Sequence, residues 1–325
     1  MVSFGLTLSS EEHAPGRLVE LAVAAEARDF DFVSISDHFH PWLSDQGHSP
    51  FVWAVLGAIA AKTSRIRAGT GVTCPTVRMH PVVVAQAAAS TSLLFGDRFT
   101  FGVGSGEALN EHVVGKRWPP IELRLEMLEE AIGVIRALWT GESVTHYGKH
   151  YIVEDARLFD APKGDLPLVV SAFGSTSARL AARCGDGLWM STPQAEVVDA
   201  FERAGGKGPV FGQISLCYAK DEQIGRKIGH RYWRTAGVPG QLSQDLPTVS
   251  HFETASSTVT EDEISEHFPC GPRLEPIVER AQAAVAAGVD HLYFHQIGPD
   301  QDGFLEFWNA SLRRELEAVG LTRSS

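Results

Sequence analysis

Positive charge is what this chain has least of. Its 325 residues carry 28 Lys and Arg against 40 Asp and Glu, a formal net charge of −12 at pH 7. A polyanionic partner, whether nucleic acid or an acidic membrane surface, is therefore not expected. A small anion is still possible, because a local site can be positive in an acidic protein. Cysteine is also scarce. Cys74, Cys184, Cys217 and Cys270 form no C-x-x-C pair, which removes the zinc and thioredoxin-like signals. Scattered thiols of this kind read as buried cysteines in a reducing cytoplasm. No apolar run approaches the ~20 residues of a membrane-spanning helix. The opening MVSFGLTLSS has neither the basic start nor the long apolar stretch of a signal peptide. Linkers, low-complexity tracts and solenoid repeats are missing. The histidines show no familiar metal-binding spacing, so no metal site is expected.

What is present is a core-forming composition, 44% hydrophobic, laid out in a regular alternation. Strand-like runs at Val2–Leu8, Phe32–Ser36, Ile66–Val72 and Phe99–Val103 are each followed by a helical pattern. A small hairpin is predicted near 144–156. Further strands follow at Leu166–Ser171, Gly187–Met190, Val210–Tyr218 and His291–Ile297. A Pro- and Ser-containing insertion, about 238–272, precedes the last strand. Eight strands alternating with helices predict a (β/α)8 TIM barrel over residues 1–325, with those two insertions; a doubly wound open sheet is the competing fold.

In such a barrel the chemistry sits at the carboxyl ends of the strands. Here those ends are polar and glycine-rich. The run ISDHFHPW places Asp37, His38 and Trp42 behind a buried strand. A histidine titrates near neutral pH, and a tryptophan offers a flat apolar wall. Elsewhere stand Glu11 after the first strand, Cys74 after the third, GSGE with Gly106 and Glu107 after the fourth, Phe173 and Gly174 after the fifth and Ser191 after the sixth. The spacing of Gly102, Gly104 and Gly106 does not fit the dinucleotide fingerprint. These glycines are expected to let a ligand ring approach the backbone. The Gly174-Ser175 turn opens a helix whose amides could hold a phosphate.

The runs SSEEHAPGRLVELAVAAEA, ISDHFHPW, QGHSPFVW, GTGVTCPTVRMHP, GVGSGEALNEH, RLEMLEEAIGVIRALWTGE, GDGLW and HQIGPDQDGF span almost the whole chain in order. Together they resemble the luciferase-like oxidoreductases, and within them the deazaflavin-dependent glucose-6-phosphate dehydrogenases. The resemblance implies a (β/α)8 barrel, coenzyme F420 as hydride carrier, a small-molecule substrate and a homodimer. It implies that His38 is the general base, Glu107 the acid partner at the cofactor edge, Trp42 the residue that shields the reacting carbon and Glu11 a further acid. Asp37 would touch the cofactor edge and orient His38. The cofactor surface would comprise Asp37, Gly71, Val72, Cys74, Gly106, Glu107, Asn110, Ala172, Phe173, Gly174 and Ser191, with a cis peptide at Gly71–Val72.

One departure stands out. The resemblance implies a phosphate clamp of two lysines and an arginine; one lysine matches Gln194, and the other two cations fall near Gln241 and His267. The stretch Val238–Pro272 contains neither Lys nor Arg. A dianion needs cationic donors, so a neutral or bulkier alcohol, or its carbonyl, is the expected substrate. Glucose 6-phosphate oxidation, an FMN-dependent luciferase-like monooxygenase, and a redox-free lyase or isomerase are the competing expectations.

Overall fold

The computed structural model of the protein describes residues 2–321. In chain order its strands are β1 (Ser3–Leu8), β2 (Phe32–Ile35), β3 (Arg67–Thr70), β4 (Phe99–Val103), β5 (Val144–Tyr147), β6 (Ile152–Ala156), β7 (Leu168–Ser171), β8 (Leu188–Met190), β9 (Val210–Leu216) and β10 (His291–Gln296). Among the described residues, eight of these close into a parallel barrel in the order β1-β10-β9-β8-β7-β4-β3-β2, while β5 and β6 form a separate antiparallel hairpin. Closure settles the choice against an open sheet.

The barrel helices are α1 (Pro15–Ala27), α2 (Val52–Lys62), α3 (Pro81–Phe95), the short α4 (Ala108–Glu111), α5 (Ile121–Trp139), α6 (Ser175–Cys184), α7 (Ala195–Arg203) and α8 (Glu222–Trp233). The insertion follows as α9 (Leu242–Asp245), α10 (Val249–Ala255) and α11 (Glu261–His267). The chain closes with α12 (Glu275–Ala286), α13 (Gln301–Phe307), a π-helical turn at Trp308–Leu312 and α14 (Arg313–Ala318).

The elements follow from local chemistry. Strands β2 and β4 are buried at every position, as expected where helices cover one face and packed side chains fill the other. Proline opens α1 and α3, where its missing N–H costs no helical bond. Thr260 and Glu263 close a reciprocal capping box at the start of α11. Inside the barrel, Trp189 stacks on Phe211 with ring centroids 4.3 Å apart, and Phe32, Val169 and Tyr293 complete that cluster. The larger core lies between strands and helices and includes Leu18, Leu21, Ile132 and Ile135.

Most strands shift by a residue or two at an end from the sequence-based ranges, and two features bear on the site. The third strand ends at Thr70, before the cis Gly71–Val72 peptide, and pairing resumes only at Thr73 opposite Val103. The Pro- and Ser-containing insertion is largely helical, because each of α10 and α11 has its own threonine cap, Thr248 and Thr260, and one fully buried apolar anchor, Phe252 and Ile264.

Candidate active site

The carboxyl ends of the strands open into a cavity of about 660 Å³. The turn after β1 carries Glu11, the loop after β2 carries His38 and Trp42, and Glu107 stands immediately before α4. These three loops bring the predicted acid, imidazole and indole to one wall.

Glu11 is buried, and its Oε2 accepts from Ser9 Oγ at 2.9 Å and from Ser36 Oγ at 2.7 Å. Its Oε1 lies 2.7 Å from His38 Nδ1, while His38 Nε2 lies 4.0 Å from Glu107 Oε2. One ring nitrogen is thus backed by a buried carboxylate and the other is turned toward Glu107. Burial by itself disfavours the imidazolium. The Glu11 charge and contact, helped by Glu107 and Asp37, outweigh it and raise the His38 pKa above the ordinary imidazole range. For Glu11 burial is likewise opposed and outweighed, here by His38 and Ser36, and its carboxyl is held below the usual range. The sequence led us to expect a base close to neutrality; the buried partner makes it a stronger one.

Asp37 does not orient His38. Its Oδ2 accepts from Thr73 Oγ1 at 2.8 Å and its Oδ1 from Arg78 Nη2 at 2.8 Å. The Arg78 amide in turn donates to Glu111 Oε2 at 2.6 Å. Asp37 therefore ties the end of β2 to the loop after β3, and the orienting partner of His38 is Glu11. Trp42 meets His38 edge-on at 5.2 Å between centroids and Phe252 of α10 at 4.9 Å. The insertion thereby covers the cavity and supplies Gln241, Ser243, Gln244, Phe252, His267 and Phe268 to its lining.

Most of the residues expected at the cofactor surface line one cavity. Asp37, Gly71, Val72, Cys74, Gly106, Glu107, Asn110, Phe173, Gly174 and Ser191 all line the cavity. Ala172 does not; it is buried in the core, with its amide bonded to the Trp189 carbonyl. The glycines after β4 play a different part from the one expected. A side chain at Gly104 would meet Val72, and one at Gly106, where φ is +75°, would meet Cys74. Their close approach is to the neighbouring strand end, so they shape the wall and do not leave a gap in it. Burial, then the Glu111 charge, raises the Cys74 thiol pKa, which keeps it protonated. Asn110 Oδ1 accepts from the Phe39 and His40 amides, pinning the loop after β2 to α4.

At the far side, Ser175, Thr176 and Ser177 of the first turn of α6 line the cavity, and a side chain at Gly174 would meet nothing within 4 Å. First-turn amides lack helical acceptors and favour an anion. This cavity, its glycine-shaped wall and its neutral hydroxyl-rich end fit a flat ring carrying an anionic tail. Among the described residues no lysine or arginine lines the cavity; its carboxylates are Glu11, Asp37, Glu107 and Glu111, faced by the His38 imidazole with its raised pKa. Gln241 and His267 occupy the lining where the resemblance places phosphate-clamping cations, and Gln194 lies outside it.

Sequence reasoning passed over several residues. Arg124 is fully buried and spans from the Gly106 carbonyl to Gln244 of α9, stacked on Trp118 at 4.3 Å. A charged residue in register with the apolar stripe of α5 was the available signal. Arg78, Ser36, Glu12 and His295 gave no such signal, since their partners are distant in sequence.

Residues 2–291 match the model of the luciferase-like monooxygenase family. The chain belongs to this family. Over 98% of its length it is 34% identical to 99% of a protein of Segniliparus rotundus named F420-dependent glucose-6-phosphate dehydrogenase. A protein of that name from Mycobacterium tuberculosis is 32% identical over the same shares. Among solved structures, an F420-dependent secondary alcohol dehydrogenase in complex with an F420-acetone adduct superposes with a TM-score of 0.88 and 28% identity, over 95% of this chain and 97% of that one. The family and the barrel thus agree with the sequence-based reading.

Proposed function

We propose that this chain is an oxidoreductase that uses coenzyme F420 and interconverts a neutral alcohol and its carbonyl compound. The observation that carries the reading is the His38 imidazole, backed by Glu11 and turned toward Glu107, in a cavity that no lysine or arginine lines among the described residues. The F420-dependent relatives support the cofactor assignment.

Bound F420 supplies the two-electron hydride chemistry that no side chain can perform. The walls built by Gly71, Val72, Cys74 and Gly106 would hold its ring, and the first turn of α6 its phosphate. The chain's own residues handle the proton. His38 Nε2 takes the hydroxyl proton during oxidation and returns it during reduction, with Glu11 holding the imidazole at Nδ1. Glu107 would stand at the cofactor edge as the acid partner, holding a proton or a negative charge there. Trp42 and Phe252 cover the apolar body of the substrate and keep water away from the reacting carbon. Because Glu11 favours imidazolium, His38 is poised to donate a proton, and oxidation requires that proton to leave first.

The names of the curated relatives favour a second reading, glucose 6-phosphate as substrate. A charge-assisted hydrogen bond is worth about 1.5–3 kcal/mol, so a phosphate site without cations is expected to bind weakly. Fluorescence titration with F420 and FMN separately, then assays of F420 reduction with secondary alcohols and with glucose 6-phosphate, test both readings. Binding of F420 and a kcat/KM for a neutral alcohol far above that for glucose 6-phosphate are expected. Tight binding of FMN alone would sink the cofactor assignment. A reversed substrate preference would sink the neutral-alcohol reading.

A further inference from the structure

The turn after β1 carries two consecutive glutamates, and the barrel topology sends them opposite ways. Strand β1 lies between β2 and β10. Glu11 reaches toward β2, to Ser36 and His38, whereas Glu12 reaches toward β10. The Glu12 carboxylate is 1% exposed. It collects donors from three places: Trp233 Nε1 at the end of α8, His295 Nε2 at 3.0 Å in β10, and the Gly298 amide at 2.6 Å in the following loop. The Trp233 ring meets His295 edge-on at 4.7 Å. Trp233 and His295 line the cavity, while Glu12 does not.

We propose that Glu12 is a positioning residue that fixes the Trp233–His295 wall of the substrate cavity, and so sets substrate affinity while its neighbour Glu11 serves proton transfer. A buried carboxylate with three donors from separate elements holds each in one place, since releasing any donor leaves a buried polar group unpaired. Trp233 is the last residue of α8, and one 3-10 turn, Arg234–Gly237, joins it to the insertion that covers the cavity. Its indole N–H on Glu12 therefore sets both the face shown to the substrate and the take-off of the cover. The proposal rests on the alcohol–carbonyl reading above for the identity of the ligand, and on the geometry for the anchor.

The experiment compares Glu12→Gln, Trp233→Phe and the double variant. Trp233→Phe keeps a ring and removes the donor; Glu12→Gln keeps the shape and removes the charge. The KM for a secondary alcohol is expected to rise roughly tenfold in Trp233→Phe, the order of one charge-assisted hydrogen bond. A several-fold rise is expected in Glu12→Gln. The effects in the double variant should be less than additive, because the Trp233–Glu12 bond is weakened or lost in both single variants. The kcat, the Kd for F420 and the pH profile of oxidation should stay within about twofold of the parent, since ~0.4 kcal/mol corresponds to that factor. In the protein without cofactor, the indole N–H resonance of Trp233, assigned through its loss in Trp233→Phe, should move upfield and exchange faster in Glu12→Gln. Additive effects on KM, or an unmoved indole resonance, overturn the proposal. If Glu12→Gln does not fold, a KM unchanged in Trp233→Phe overturns it equally. Failure of the parent protein to oxidise any alcohol with F420 would instead remove the functional reading, and the indole resonance still decides the anchor.

Discussion

His38 is defined less by its own side chain than by what stands behind it. An imidazole alone titrates near pH 6.5. Here burial and the Glu11 carboxylate oppose one another, and the carboxylate wins. A raised pKa means that the proton-bound form persists to higher pH, so alcohol oxidation should quicken as pH rises through the His38 pKa and carbonyl reduction should slow. In Glu11→Gln the opposing charge is gone while burial remains, so the inflection of oxidation kcat/KM should move to lower pH. A pH–rate profile with the same inflection in both proteins would rule out Glu11 as the partner. His38→Ala should abolish turnover and leave F420 affinity intact, measured by fluorescence titration; a parallel loss of both would make the residue structural.

At the scale of elements, the insertion acts through a few anchors. Phe252 is fully buried in α10 and touches Trp42, so the cover and the catalytic wall share one aromatic contact. Removing a buried phenylalanine costs about 3–5 kcal/mol where the site cannot collapse. Phe252→Ala should therefore loosen α9–α11 and raise the KM for small alcohols, with faster amide exchange confined to residues 241–267. Exchange that quickens equally throughout the barrel would show that the cover is not a separate unit of stability. The apolar periodicities made α1 and α5 legible in the sequence. The helicity of the insertion was not legible, because α9–α11 are short, mixed in polarity and held by caps and contacts with the rest of the fold.

At the scale of the whole molecule, the barrel collects loops from distant parts of the chain onto one mouth. A ligand that bridges the ends of β2, β3, β4 and β7 should stabilise all of them together. At a concentration 100-fold above Kd, F420 should add about 2.7 kcal/mol of stability. That predicts a rise in Tm of several degrees by calorimetry, and none with FMN. A Tm insensitive to F420 at millimolar concentration would contradict the cofactor assignment. Among the described residues no helix is long and apolar enough to cross a membrane.

The alternation of buried strands and amphipathic helices depends on side-chain periodicity alone, so the (β/α)8 order was present in the sequence. So was the clustering of Asp37, His38 and Trp42, which is local, and so was the lack of Lys and Arg over Val238–Pro272. Only the tertiary structure decided which carboxylate serves which partner. Glu11 and not Asp37 orients His38, Asp37 is committed to Arg78 and Thr73, and Glu12 holds Trp233 and His295. The physical reason is distance along the chain. These contacts join residues from 27 (Glu11 and His38) to 283 (Glu12 and His295) positions apart, and burial, which sets their strength and the His38 pKa, exists only once the barrel has closed.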